Sequence, residues 1–285
     1  MEYVYLGILI FIFCLAIFDL IVGVSNDAVN FLNSAVGAKT ASFKVILLLA
    51  AIGVFFGAAT SNGMMDVARH GIFQPQYFTF VEIMCILMAV MVTDVILLDT
   101  FNSLGMPTST TVSLVFELLG GTVALAMLKS IATEGELTFA QMINTDKVFT
   151  VVLGIFLSIA IAFFFGMLIQ WLTRVLFTFN YKKSLKWFAG LFGGIATTAI
   201  IYFMLFKGLK DSSFMTPENK AWISEHTSEL LAYVFVGSAL LMQVLHWCKV
   251  NILKVIVLMG TFALAMAFAG NDLVNFIGIP LTSLA

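Results

Sequence analysis

Two copies of one polar motif stand in segments apolar enough to cross a bilayer. The chain reads Ser-Asn-Asp-Ala-Val-Asn-Phe at 25–31 and Gly-Asn-Asp-Leu-Val-Asn-Phe at 270–276. A carboxylate in mid-membrane costs about 2.5–3.5 kcal/mol on insertion scales, and such groups are usually functional. The repeat therefore indicates a duplicated ion or substrate site. The alternative is that each copy only joins two helices.

The spacing within the first copy suits a site on one helix face. Asn26 and Asn30 are four residues apart, and Asp27 and Asn30 are three apart, so all three share a face. Gly23, just before the motif, permits local unwinding that would free backbone carbonyls to coordinate a cation.

A third polar stretch interrupts an apolar region near 102–111. Gly105 and Pro107 forbid a continuous helix, so a new helix is expected just after Pro107. A helix start inside a membrane is an anion site, because its first N–H groups lack intrahelical partners and its dipole is positive there. The first turn holds three hydroxyl side chains: Ser109, Thr110 and Thr111. The alternative is an ordinary turn capped by Thr108 or Ser109.

Four further acids fall in apolar segments. Asp94 and Asp99 are five residues apart, which places them on different helix faces. Asp99 is a candidate for the wall of the site or for an interfacial position near the helix end. Asp94 is a weaker candidate for the site wall. Glu82 and Glu117 are expected to snorkel or to contact neighbouring helices.

Composition identifies an integral membrane protein. Of the 285 residues 61% are hydrophobic and 11% are charged, and the mean hydropathy is +1.06. The net charge of −2 and the lack of basic runs argue against nucleic-acid binding. The three cysteines have no CxxC spacing, and no nucleotide-binding loop or nucleophile–base arrangement is present, so neither an enzyme nor an organic cofactor is indicated.

Hydropathy predicts an all-α, polytopic membrane fold. Apolar stretches of about 20 residues give eight candidate membrane helices, at 3–24, 43–60, 79–101, 108–128, 148–176, 187–207, 229–247 and 251–274.

The basic residues favour an external N-terminus. Eight crossings then place most of the lysines in the cytoplasm, at positions 39, 44, 182, 183, 186, 249 and 254. The first and eighth helices must cross in opposite directions, which makes the two motif copies part of inverted-topology repeats. A re-entrant hairpin within 79–128 would change that parity.

Three motifs in this order resemble those of the inorganic phosphate transporter family, also called Pit or PHO-4, whose members are sodium- or proton-coupled phosphate permeases. Residues 23–30 with 35–37 resemble the GxNDxAN...VG signature, 105–111 resemble the G-x-P-x-S-T-T-H loop, and 270–275 resemble the second signature. The chain departs from this pattern at three positions. Val112 stands where the family usually has histidine, and Ser25 and Glu117 stand where it usually has small residues.

The resemblance implies roles for matching residues only. Phosphate would be bound by Ser109, Thr110, Thr111, Asn26 and Asn271. The cation would be bound by Asp27, Asn30, Asp272 and Asn275, with Na⁺ at Asp27 and Asp272.

Electrostatics independently favours cation coupling. The three motifs contain no Lys or Arg, so an anion would lie close to two aspartates. One such repulsion is about 4 kcal/mol at 4 Å and an effective dielectric of 20. A cation must therefore enter with the anion, or the aspartates must be protonated. Oxygen ligands suit Na⁺, so we expect symport of phosphate with Na⁺ or H⁺. The alternatives are a carrier of another oxyanion such as sulfate, and a non-transporting membrane subunit or receptor.

The repeat pattern also bears on completeness. Residues 1–250 would hold the first repeat with connecting helices, and 251–285 the beginning of the second, whose own Pro-Ser-Thr-Thr loop would be expected near position 350. We therefore expect a truncated chain, or one that assembles in the lipid bilayer with a second polypeptide or a second copy of itself.

Overall fold

The structure is a computed structural model that describes residues 2–60, 72–134, 137–177, 181–205, 216–271 and 276–277. These residues form ten α-helices, numbered here in chain order: α1 Glu2–Gly37, α2 Phe43–Thr60, α3 Phe80–Ser103, α4 Thr110–Ala132, α5 Phe139–Met142, α6 Thr145–Phe177, α7 Tyr181–Phe203, α8 Pro217–Glu225, α9 Thr227–Trp247 and α10 Ile252–Asn271.

Eight of these helices are long and apolar enough to cross a membrane: α1 to α4, α6, α7, α9 and α10. The all-α, eight-span expectation is confirmed. The bounds of the first helix differ from the prediction, because α1 continues through the first motif to Gly37. Nothing in residues 24–36 disfavours helical geometry, since they contain neither glycine nor proline. Lys39, with φ 49°, lies in the turn that follows.

The expected break in the third polar stretch is confirmed. Helix α3 ends at Ser103 and α4 begins at Thr110, with Gly105 in the left-handed region at φ 68°. The far ends of the two helices are joined by an ion pair of 2.8 Å between Glu82 and Lys129. Helices α3 and α4 therefore form an antiparallel hairpin, and Glu82 contacts the neighbouring helix.

The chain folds into two compact units. The first comprises Met1–Val29, Gly63–Leu157 and Asn271–Ala285, and the second comprises Asn30–Asn62 and Ser158–Gly270. The core of the first unit is formed by apolar faces of α1, α3 and α4, and includes Ile12, Leu87, Met91 and Leu118.

Helices α2 and α10 pack closely in the second unit. A Cβ at Gly53 would lie 2.6 Å from the carbonyl oxygen of Phe262, and one at Gly57 would lie 2.8 Å from Ala269 Cβ and overlap the carbonyl oxygen of Met266. Helix association in lipid relies on such close backbone approach, because the hydrophobic effect does not drive it there.

We predict that Gly57→Ala lowers stability by about 1–3 kcal/mol, since the methyl group forces the two helices apart. Thermal unfolding of the purified protein in detergent should show a lower midpoint. Gly154→Ala in α6 is the matched control, because a Cβ there meets nothing within 4 Å. Equal midpoints for both variants would contradict the packing argument.

Candidate anion and cation site

Asn26 joins α1 to the break between α3 and α4. Its Nδ2 donates to Asn102 Oδ1 at 2.9 Å and to the carbonyl oxygen of Met106 at 3.2 Å. Its Oδ1 accepts from the N–H of Thr108 at 2.8 Å. Asn102 in turn donates to the carbonyl oxygen of Val22, at 2.9 Å. We call this set of contacts the amide clamp.

The amide clamp uses both hydrogens of the Asn26 side chain and one of its acceptor positions. Asn26 is only 4% exposed, so these partners replace water for a buried amide. The side chain therefore positions the backbone at 106–108. Sequence reasoning missed Asn102, and the available signal was a polar residue in the last turn of an apolar helix just before Gly105.

The clamp fixes the start of α4. Ser109 is the N-cap, and its Oγ accepts from the N–H of Val112 at 3.4 Å. Thr110 is buried and Thr111 half-buried in the first turn, whereas Ser109 is exposed. Ser109 therefore caps α4, as one of the two alternatives expects. A capped helix start still carries a positive dipole end, so the anion site stays a prediction.

Two aromatic contacts link the motif copies. In the first unit a Cβ at Gly23 would overlap the ring of Phe276, so the glycine makes room for that ring. In the second unit the rings of Phe31 and Phe268 lie 5.3 Å apart. The offset of 245 residues between the motif copies converts positions 23 and 31 into 268 and 276. In sequence numbering each contact is therefore the counterpart of the other.

The expected unwinding at Gly23 is wrong, because α1 is continuous there. Its packing against Phe276 gives the reason for a glycine at this position.

Comparison with known proteins identifies the family. The family model described as PHO4, phosphate transporter family, matches residues 23–285. The chain belongs to the phosphate transporter family. A solved structure titled "The sodium-dependent phosphate transporter" superimposes with a TM-score of 0.71 at 17% identity, covering 98% of this chain and 67% of that one. Comparison with curated proteins gives no match.

In this member of the phosphate transporter family, the remaining candidate residues differ in burial and in the unit to which they belong. Asp27 is buried in the first unit, at 3% exposure, whereas Asn30 is exposed and belongs to the second unit. Asp99 is exposed on α3. In the second motif copy Asn271 ends α10. Asp272 and Asn275 lie outside the described residues.

A second polar set lies on the same three helices. Asp19 of α1, Asp94 of α3 and Glu117 of α4 interact electrostatically with one another, and Ser113 contacts two of them. We call these four residues the acid cluster. Sequence reasoning did not single out Asp19, although it precedes Asn26 by seven residues and so lies on the same face of α1.

We predict that Asn26→Leu loosens the segment before α4. The change removes the acceptor of the Thr108 N–H and two donors, and an unsatisfied buried group costs about 1–3 kcal/mol. Hydrogen–deuterium exchange of the Thr108 amide should accelerate by about tenfold or more. Asn33→Leu, an exposed asparagine on the same helix, is the control. Equal exchange in the two variants would show that the clamp does not hold the segment.

Proposed function

We propose that the chain transports inorganic phosphate across a cell membrane by symport with a cation, Na⁺ or H⁺, with its N-terminus outside. Membership of the phosphate transporter family supports the substrate. The solved structure that shares its fold is titled as sodium-dependent, which supports a coupling ion. The mild lysine bias supports the orientation.

The observation that carries the proposal is the clamped start of α4. Phosphate needs several donors, and a helix start supplies backbone N–H groups and a positive dipole without a basic side chain. The hydroxyls of Ser109, Thr110 and Thr111 add donors there. Because Asn26 fixes the approach to this turn at 2.8 Å from its Oδ1 to the Thr108 nitrogen, the donors are organised before the anion arrives.

The coupling cation would be held by the oxygen-rich motifs. Asp27 is a buried carboxylate next to Asn26 on the same helix, in surroundings that disfavour an isolated charge. A cation there would neutralise Asp27 and reduce its repulsion of phosphate. Asn30, Asp272 and Asn275 complete the proposed cation ligands on the basis of the duplicated motif, and Asn271 is proposed as a phosphate ligand.

We predict that Asp27→Asn abolishes phosphate uptake driven by a cation gradient, because the change removes the charge of a cation ligand at nearly constant size. The measurement is uptake of labelled phosphate by proteoliposomes under a Na⁺ gradient, and separately under a pH gradient. Glu225→Gln, at an exposed helix end, is the control. Normal uptake by Asp27→Asn would remove Asp27 from the mechanism, and inhibition by excess sulfate would indicate a broader oxyanion carrier.

Substitutions at Ser109 separate anion binding from helix capping. Both Asp and Asn are good N-caps, but only Asp adds a negative charge at the helix start. We predict that Ser109→Asp raises the KM for phosphate at least about tenfold, since like charges 4 Å apart repel by about 4 kcal/mol at an effective dielectric of 20. Ser109→Asn should stay close to the unmodified protein. Equal KM values for the two variants would mean that this turn only caps α4.

A further inference from the structure

The acid cluster contains two buried carboxyl groups and one that is half-buried. Asp19 is 0% exposed and Asp94 is 3% exposed, whereas Glu117 is half-buried. The three side chains come from three different helices of the first unit. Buried carboxylates are normally paired with cations or hydrogen-bond donors, so the donors around them can be counted.

Donors are too few for three ionised groups. Ser113 Oγ lies 2.8 Å from Asp94 Oδ1 and 2.7 Å from Glu117 Oε1. A hydroxyl carries one hydrogen, so it can donate in only one of these two contacts. The other contact is a hydrogen bond only if that carboxyl is itself protonated and donates to Ser113. The geometry around Ser113 thus requires one proton.

Asp19 requires a second proton. Both of its oxygens are buried, and no donor among the described residues reaches them. Its carboxyl group lies within interaction range of Asp94. A proton between these two carboxyl groups would satisfy Asp19 and remove the repulsion between them.

Neighbouring charges do not substitute for these protons. Among the described residues of α1, α3 and α4, Lys129 is the one basic side chain, and it pairs with Glu82 of α3. Lys129 lies twelve residues beyond Glu117 on α4, a distance of about 18 Å by helical rise. The other charged residues are acids: Asp27 lies eight residues beyond Asp19, and Asp99 is exposed. On α6, Asp146 and Lys147 are exposed. No three acidic, histidine or cysteine side chains of the described chain converge as metal ligands.

A cavity adjoins the cluster. A cavity of about 550 Å³ between α3 and α4 is lined by Ser113 and Glu117, and also by Thr108, whose N–H is held by the amide clamp. Glu117 is thus the carboxyl group of the cluster that belongs to the cavity lining, whereas Asp19 and Asp94 are buried. Protons that enter the cavity would reach the two aspartates through Glu117.

We propose that Asp19, Asp94 and Glu117 form a proton-binding cluster, separate from the Asn-Asp motifs, that exchanges protons through the cavity between α3 and α4. It binds two protons when the three helices are packed together. Loss of these protons would place like charges between α1 and the α3–α4 hairpin, seven residues from the amide clamp on α1. Proton binding by the cluster does not depend on the proposed phosphate symport.

Infrared difference spectroscopy of the purified full chain tests the proposal without phosphate or transport. The C=O stretch of protonated carboxylic acids should be present at neutral pH and disappear on alkalinisation. Asp19→Asn and Glu117→Gln should each reduce this band, and Asp146→Asn, which changes an exposed carboxylate, should not. Absence of the band in the folded protein at neutral pH, or its persistence at full intensity in both cluster variants, would overturn the proposal.

Two further measurements complete the test. The first applies if the aspartate and glutamate variants fail to fold, and the second asks whether a metal cation occupies the cluster in place of the proton. Ser113→Ala should shift the frequency of the band, because a protonated carboxyl loses its oxygen acceptor; an unchanged frequency would contradict the assignment to this cluster. Raising Na⁺ at fixed pH and ionic strength, with K⁺ as the control, should leave the band unchanged. Its loss specifically with Na⁺ would show a sodium site and overturn proton binding.

The stability of the folded chain should also depend on pH. If the folded chain binds more protons than the unfolded chain, its free energy of unfolding falls as pH rises. Asp19→Asn carries a permanent N–H donor toward Asp94, so its unfolding midpoint should fall less between neutral and alkaline pH. Parallel curves for this variant and the unmodified chain would count against the cluster.

Discussion

The segment between two helices must find partners for the backbone groups that the helix ends leave unpaired. Between α3 and α4 the central partner is Asn26, which donates to the carbonyl oxygen of Met106 on one side of Pro107 and accepts from the N–H of Thr108 on the other. Asn102 completes the arrangement by returning to the backbone of α1. The direction in which α4 begins, and hence the direction of its dipole, follows from these few bonds.

The first unit contains two polar layers that cross the same three helices. In the amide clamp, side-chain amides contact each other and the backbone, and each contact has an N–H donor. In the other, carboxyl groups lie close to one another, and the hydroxyl of Ser113 can donate a hydrogen to one of them. The spacing of seven residues between Asp19 and Asn26 corresponds to about 11 Å along α1, so the layers lie about two turns apart. Amides can be satisfied at any pH, whereas carboxyl groups in such surroundings depend on the proton supply.

The sequence predicted what depends on local chemistry. Runs of apolar residues gave the eight spans, and Gly105 with Pro107 gave the end of one helix and the start of another. The length of α1 was missed, because hydropathy ends the first span where the polar motif begins. The role of Gly23 was missed, because it depends on Phe276, which is remote in the chain. Asn102 and Asp19 were missed for the same reason, since a single polar residue in an apolar run does not reveal its partner. The roles of Asp27, Asn30 and the second motif copy stay predictions.

The paired contacts of the motif copies also constrain how this chain can diverge. The ring of Phe276 packs against Gly23, which has no side chain. At the counterpart positions the rings of Phe31 and Phe268 contact each other. A larger residue at 23 would have to be accompanied by a smaller one at 276, so these positions should covary among related sequences. The pair at 31 and 268 is a tilted contact between two buried rings, so an aromatic side chain is expected at both positions. The two motif copies would thus follow different rules of substitution at equivalent positions.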